Sequence, residues 1–255
     1  MRIGFDMDGV FADMESELLR QATMVFGEPL KARLEERRPP DVAEPDAKDA
    51  DTQIVPTSIQ QAAAESAPDD VPPVMKTSMN ARQQRRLWRH VESLENFWET
   101  LEELEPGVIE RLAALALERR WEIIFLTKRP ETAGSTAQVQ SQRWLESKGF
   151  ALPSVFVVQG SRGRIADALA LDIVVDDRPE NCLDVVVDSK ARAILVWRES
   201  EKQLPAAARR LGIGVVKTVG ESLDVITQID AASREDPGVM GRLLRLLGFK
   251  EPANA

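Results

Sequence analysis

Several shortages in this 255-residue chain narrow what it can do. It has a single cysteine, Cys182, so no internal disulfide can form and no CxxC pair offers a zinc site, a pattern that suits a reducing cytoplasm. Its single histidine, His90, leaves no room for a multi-histidine metal centre, and, far from the other motifs in sequence, is read as a surface residue on a helix. Basic residues are outnumbered, 33 Lys and Arg against 42 Asp and Glu, for a formal charge of −9. Nucleic-acid backbones and anionic membranes both reward a basic surface, so neither is expected as a partner. A small anionic substrate would need local help from a cation. No stretch approaches the roughly 20 apolar residues of a membrane span, and no signal-peptide pattern opens the chain, so a cytoplasmic location is expected.

What is present reads as alternating strands and helices. Strands fit at Arg2 to Phe5, Trp121 to Leu126, Val155 to Val158, Ile173 to Val175, Ala193 to Val196 and Val215-Val216. Helices fit at Met14 to Phe26, along a stripe from Arg82 through Trp98, and at Val108 to Arg119, Ala137 to Lys148, Ile165 to Leu171, Pro179 to Asp188, Leu204 to Leu211 and Ser222 to Ala231. Runs such as "IIFL" and "DIVVDD" are apolar on both faces, as parallel strands covered by helices must be. The expected fold class is therefore α/β, a doubly wound, mostly parallel, Rossmann-like sheet. Between Pro29 and Asn80 the character changes. Eight of the fifteen prolines fall there, among many Ala, Asp, Glu and Gln, and such a segment cannot bury enough apolar area to offset its chain entropy.

Ligands of open α/β sheets bind beyond the carboxyl ends of the strands. Asp6-Met7-Asp8-Gly9 ends the first strand, Thr127-Lys128-Arg129-Pro130 the second, and Asp176-Asp177-Arg178-Pro179-Glu180-Asn181 the strand at 173–175. Should these strands be neighbours, four carboxylates, a hydroxyl and several cations converge on one crevice. Carboxylates so close repel unless a cation neutralises them, and hard oxygen ligands select Mg²⁺. One aspartate, Asp6, can then attack phosphorus as a nucleophile. The other, Asp8, can protonate the departing alkoxide and later deprotonate the hydrolytic water. Thr127 would hydrogen-bond the phosphoryl group.

The strings "DMDGVFAD", "FLTKRP" and "VVDDRPEN" resemble motifs one, two and four of the haloacid dehalogenase-like (HAD) phosphohydrolases, and the set is most similar to the 5'(3')-deoxyribonucleotidase branch. The likeness covers residues 1–27 and about 95–198. It implies a HAD-like core at 1–13 and 106–232 and a small helical cap at 14–28 and 81–105, and it excludes the segment at 29–80, read as a disordered insert from its composition, and a tail at 233–255 whose spacing reads as a short amphipathic helix. It also implies Asp6 as the phosphorylated nucleophile, Asp8 as acid/base with its backbone carbonyl on Mg²⁺, and Asp176 with Asp177 at the metal. The third motif of that family is a lysine; here "GSRGR" offers Arg164 and Arg162, and Lys128 is the remaining cation. The implied activity is a Mg²⁺-dependent phosphomonoesterase for nucleoside 5'-monophosphates, deoxyribonucleotides first. A sugar-phosphate phosphatase and a degenerate, non-catalytic adaptor stay open beside it, as does a homodimer.

Other residues carry two readings each. Phe97 and Trp98 lie where the resembling enzymes place aromatics that stack on a base, while aromatics at helical spacing also fill cores; Phe11 is read the same way. Arg129 and Arg178 bind substrate or are simply solvated or paired with Glu131 and Glu180. Asn181 orients the metal loop or sits in a first helical turn. Cys182 is read as a buried small hydrophobe.

Overall fold

Strands without a polar face must be covered on both sides, and that requirement sets the architecture. Six strands form one sheet: β1 (Arg2–Asp6), β2 (Glu122–Thr127), β3 (Ser154–Val157), β4 (Ile173–Asp176), β5 (Arg192–Val196) and β6 (Gly214–Val216). Their order is β3-β2-β1-β4-β5-β6 and every pairing is parallel. The computed structural model describes residues 1–27, 71, 75 and 78–235.

Parallel neighbours need crossovers, and helices supply them: after α1 (Met14–Phe26) and α2 (Ala81–Glu92) come α3 (Val108–Arg119), α4 (Ala137–Ser147), α5 (Arg162–Ala168), α6 (Pro179–Asp188) and α7 (Ala206–Arg210), while α8 (Val219–Glu235) follows the last strand. The chain winds outward from β1 to β3, then returns beside β1 with β4 and winds outward the other way. That reversal makes β1 and β4 the switch point of the sheet. The expected doubly wound α/β class is what the chain forms. One hydrophobic layer joins Leu126, Val174, Ala193 and Leu195 of the strands to Ala166, Cys182 and Val185 of the helices, with Cys182 fully buried as expected. Each Leu or Val among them contributes about 1.5–3 kcal/mol by leaving water.

Two compact units divide the chain: Met1–Glu17 with Glu92–Ala255, and Leu18–Val91. The second buries Leu18, Ala22, Met79, Leu87, Trp88 and Val91. Within it His90 is half-buried and bonds Gln21 Oε1 at 2.8 Å, so it is not the plain surface residue that its solitude suggested. The expected helix from Arg82 through Trp98 stops at Glu92. Asn96, a residue whose short amide tolerates the left-handed region, takes φ 52° there, and Phe97–Glu99 follows as a single 3-10 turn. Residues 92–105, expected in the cap, thus belong to the unit that carries the sheet. The insert expected at 29–80 and the tail from 233, with the amphipathic stretch 238–249, lie outside the described residues except at Val71, Met75, 78–80 and 233–235.

Candidate active site

Because all six strands run the same way, the groups that end them share one edge. Asp6 pairs with Leu126, one residue before Thr127, and Phe5 pairs with Val175, one residue before Asp176. The ends of β2, β1 and β4 are therefore side by side, and the carboxylates separated by 170 residues in sequence become neighbours. Beyond Asp6 the chain turns sharply: the amides of Phe11 and Ala12 both donate to Met7 O at 2.9 Å, and Gly9 takes φ 84°. A Cβ on Gly9 would stand 2.1 Å from Asp177 Oδ2, so glycine is what lets the β4 acid lie against this loop.

The two acids of the first motif have different surroundings. Asp6, 7% exposed, accepts from Nη2 of Arg162, whose Nε also lies 3.5 Å from Asp176 Oδ2. Arg162 is in the first turn of α5, where the Ser161 hydroxyl caps the helix by accepting from Arg164 N at 3.2 Å. Asp8 faces the other way. It accepts from Thr127 Oγ1 at 3.0 Å, from Arg129 Nε at 3.0 and 3.1 Å, and from Arg129 Nη2 at 2.7 Å. Asp176 is fixed by three hydrogen bonds, one from Arg178 N at 2.9 Å and two from Asn181 Nδ2, at 3.0 Å to each oxygen. Asn181 therefore does both things read for it, opening α6 and orienting the acid.

Burial and crowding push these acids up. Asp6 is held well above the usual carboxylate range by desolvation and then by the charge of Asp176, with Arg162 opposing. Asp176 is raised by burial against the pull of Arg162. Asp177 is pushed up to about 7 by burial and then by Asp176. Three carboxyl groups that resist ionisation together are missing positive charge. Asp177 Oδ1 is, in addition, buried without a hydrogen-bond partner. Among the described residues no three His, Cys, Asp or Glu side chains surround a common point. The donor chemistry fits a hard divalent cation: all oxygen, mutually repelling, with one orphaned atom. Asp6, Asp176 and Asp177 are the side chains that would hold it.

The remaining expected residues are distributed as follows. Of the two motif-three candidates, the structure brings Arg162 to the acids and leaves Arg164 exposed, near Asp184. Lys128 is half-buried, and its side chain makes no hydrogen bond or ion pair among the described residues. Arg129 has a fully buried side chain that is spent on Asp8 and Ser141, so it is neither solvated nor placed to grip a substrate. Phe97, Trp98 and Phe11 are at most 1% exposed. Phe11 packs on Phe5 and Phe125 at centroid distances of 5.4 and 5.8 Å, and Phe97 packs edge-on against Trp98 at 4.9 Å. None of the three offers a face to a base; the core reading holds for all of them.

No family model and no curated protein matches the chain in sequence. Among solved structures it is similar to a candidate beta-phosphoglucomutase from Thermotoga maritima, at 18% identity and TM-score 0.49, covering 89% of this chain and 98% of that one. It is also similar to a HAD hydrolase, family IA, variant 3, from Entamoeba histolytica, at 9% identity and TM-score 0.43, covering 96% of this chain and 99% of that one. Likeness at this level assigns nothing, so the chemistry has to come from the site's own residues.

Sequence reasoning missed four contributors. Arg198, just past β5, donates to the carbonyls of Gly9 and Val10 and pairs with Glu105 at 2.9 Å. Its signal was its place at a strand end, the same criterion that found the other motifs. Glu105 in turn accepts from the amides of Val219 and Gly220 at 2.8 and 3.0 Å, at the start of α8. Ser141 and Trp144, on the buried face of α4, both meet Arg129, and nothing in their own stretch announces that.

Proposed function

We propose that the chain is a HAD-like phosphomonoesterase that works through a phosphorylated Asp6. The observation that carries this reading is the division of labour between two acids only two residues apart. Asp6 sits among Arg162, Asp176 and Asp177, whereas Asp8 sits apart with Thr127 and Arg129. A nucleophile needs positive charge around it to approach an anionic phosphoryl group; an acid/base needs to be held at a fixed angle, free to exchange a proton with the leaving oxygen. Asp8 is held by Thr127 and Arg129, while Asp6 has Arg162 beside it and needs a bound cation to offset Asp176 and Asp177.

In this mechanism Arg162 keeps the Asp6 carboxylate aimed outward, and its guanidinium offers donors that suit phosphoryl oxygens. Thr127 and Lys128 flank the place where the phosphoryl group enters. Asp8 gives a proton to the leaving alkoxide as the Asp6–phosphorus bond forms, then takes one from water as that bond is hydrolysed. Mg²⁺, held by Asp6, Asp176 and Asp177, would supply Lewis-acid charge that shields the anionic partners from one another.

The substrate class is a small phosphate ester. With Phe11, Phe97 and Trp98 buried, the preference for a nucleoside 5'-monophosphate loses its aromatic support, and a sugar phosphate stands level with it. Phosphate release is measured across a panel of nucleotides and sugar phosphates, with Mg²⁺ and with EDTA, for the wild type and for Asp6→Asn. The expected result is cation-dependent release that Asp6→Asn abolishes while its circular dichroism spectrum stays unchanged. A flat response across the panel refutes the phosphatase reading, and substantial turnover by Asp6→Asn refutes the nucleophile.

A further inference from the structure

Among the described residues of the sheet-bearing unit, Arg129 is the most completely enclosed cation, at 1% exposure. Its guanidinium is 5.0 Å from the centre of the Trp98 ring and 5.8 Å from that of Trp144. Its Nη1 donates to Ser141 Oγ at 2.9 Å, and Ser141 donates onward to Ala137 O at 2.7 Å. The side that is left carries three hydrogen bonds to the two oxygens of Asp8. Trp98 is itself pinned: its amide donates to Gln140 Oε1 at 3.0 Å and its indole Nε1 to Pro130 O at 2.9 Å. Trp144 Nε1 donates to Leu101 O at 2.7 Å. Two indoles, a hydroxyl and a carboxylate thus take up the whole surface of one guanidinium.

Stability gives a weak reason for such an arrangement. Burying a charge pair costs desolvation that its attraction only roughly offsets, and apolar replacements of the same volume are often as stable. What the pair does supply is geometry, since a forked guanidinium against a carboxylate fixes the angle of the carboxylate as well as its distance. Cation–π contact in a desolvated site adds attraction that holds the guanidinium plane itself.

We propose that Trp98, through Arg129, is a positioning residue for Asp8, and that the cage of Trp98, Trp144 and Ser141 sets the angle at which Asp8 meets the leaving oxygen. The proposal rests on the phosphomonoesterase reading above and assigns Trp98 a task other than binding a base. In the step concerned, the ester oxygen leaves phosphorus with its electron pair and takes the proton of the Asp8 carboxyl; the phosphoryl group passes to Asp6. The cage acts on that proton transfer and on the later one, in which Asp8 takes a proton from the water that hydrolyses the Asp6 phosphate; the later step is the same for every ester. An ester whose leaving group is already a stable anion needs no proton as it departs, so its transfer of the phosphoryl group to Asp6 should be indifferent to the angle of Asp8.

The test compares two leaving groups in the full-length chain. Trp98→Leu, Trp98→Phe and wild type are assayed on an alkyl ester, thymidine 5'-monophosphate or glucose 6-phosphate, and on 2,4-dinitrophenyl phosphate. Trp98→Leu should lower kcat/KM, which reads the steps up to formation of the Asp6 phosphate, at least tenfold on the alkyl ester and less than threefold on the aryl ester. Trp98→Phe, which keeps an aromatic face over Arg129, should recover most of the alkyl loss. Equal losses on both esters, or none on either, overturn the proposal. A wild type that hydrolyses neither ester refutes the phosphatase reading by itself, and the cage is then judged by urea unfolding of Trp98→Leu, Asp8→Asn and the double variant. Shifts in midpoint that fall short of additive support a chain of contact from Trp98 to Asp8; additive shifts overturn it.

Discussion

Replacing Gly163 by alanine perturbs the site without touching any group that would react. Gly163 sits in the first turn of α5, next to Arg162, and packs against α6 so closely that a Cβ would stand 2.2 Å from Asp184 O and 2.7 Å from Asp188 Cβ. A backbone carbonyl and a Cβ fixed to the backbone leave nothing flexible to yield, so the two helices must part by about 1 Å to restore ordinary contact. Overpacking of this kind costs roughly 1–3 kcal/mol. Parting the helices also stretches the cap that joins them, in which Ser161 Oγ donates to Asp184 Oδ2 at 2.6 Å and Gly163 N to the same oxygen at 3.1 Å. A charge-assisted hydrogen bond is worth about 1.5–3 kcal/mol, part of which is lost. Against these stands the better helix propensity of alanine, up to about 1 kcal/mol. The expected net loss is about 2 kcal/mol, or roughly 1 M in urea midpoint at a slope near 2 kcal/mol/M. Arg162 rides on the same turn, and a 1 Å misplacement of a positioning group can cost turnover about a hundredfold. Urea unfolding followed by circular dichroism reads the first effect and phosphate release the second. Gly160→Ala, at a position with nothing within 4 Å of the added carbon, is the control and should change neither. Were Gly163→Ala to unfold at the wild-type midpoint with wild-type turnover, the account of how α5 aims Arg162 would be wrong.

Two further expectations concern the acids. In EDTA, Asp177 carries a proton in the fold up to about pH 7 that the unfolded chain releases near 3.8, so folding takes up a proton across that window and stability falls as pH rises through it, by an amount on the order of a few kcal/mol. Asp6 and Asp176, also raised, act with the same sign; urea midpoints between pH 5 and 7.5 should drop in the wild type and drop less in Asp177→Asn, and equal slopes in the two proteins would contradict this. Gly9→Ala must place an L side chain at φ 84° and its Cβ 2.1 Å from Asp177 Oδ2, which should cost about 1–2 kcal/mol of stability and weaken Mg²⁺ binding measured by calorimetry; unchanged affinity would show that the loop does not set the position of Asp177.

Which residues would meet was legible from the sequence wherever one strong local pattern decided it. Apolar runs ending in polar or acidic groups read as parallel strands covered on both faces, and once the sheet sets β1 between β2 and β4 their ends are neighbours; that is how Asp6, Thr127 and Asp176 come together. Helix starts were less legible, and one of them decided a chemical role. Arg162 and Arg164 are two positions apart, so on a helix they point about 200° from each other and only one can face the sheet. A helix placed from Ile165 leaves both in a loop and both eligible. The Ser161 cap, three residues before its Arg164 amide partner, starts the helix at Arg162 and turns that side chain inward.

Trp98 shows the opposite limit. Helical spacing with Leu87, Trp88, Val91 and Leu94 predicted one continuous stripe, but the helix ends at Glu92, and Asn96 and Ala133 exchange contacts with residues far along the chain: Asn96 N donates to Ala133 O at 2.8 Å and Ser135 N to Asn96 Oδ1 at 2.9 Å. Those bonds carry Trp98 onto Arg129. No pattern internal to either stretch encodes that meeting, because periodicity reports which face of an element is apolar and not which cation that face will cover. An aromatic at helical spacing and an arginine before a proline each looked ordinary alone. Only the register of β1 with β2, which sets Arg129 within reach of Asp8, turns the pair into a device that can aim an acid.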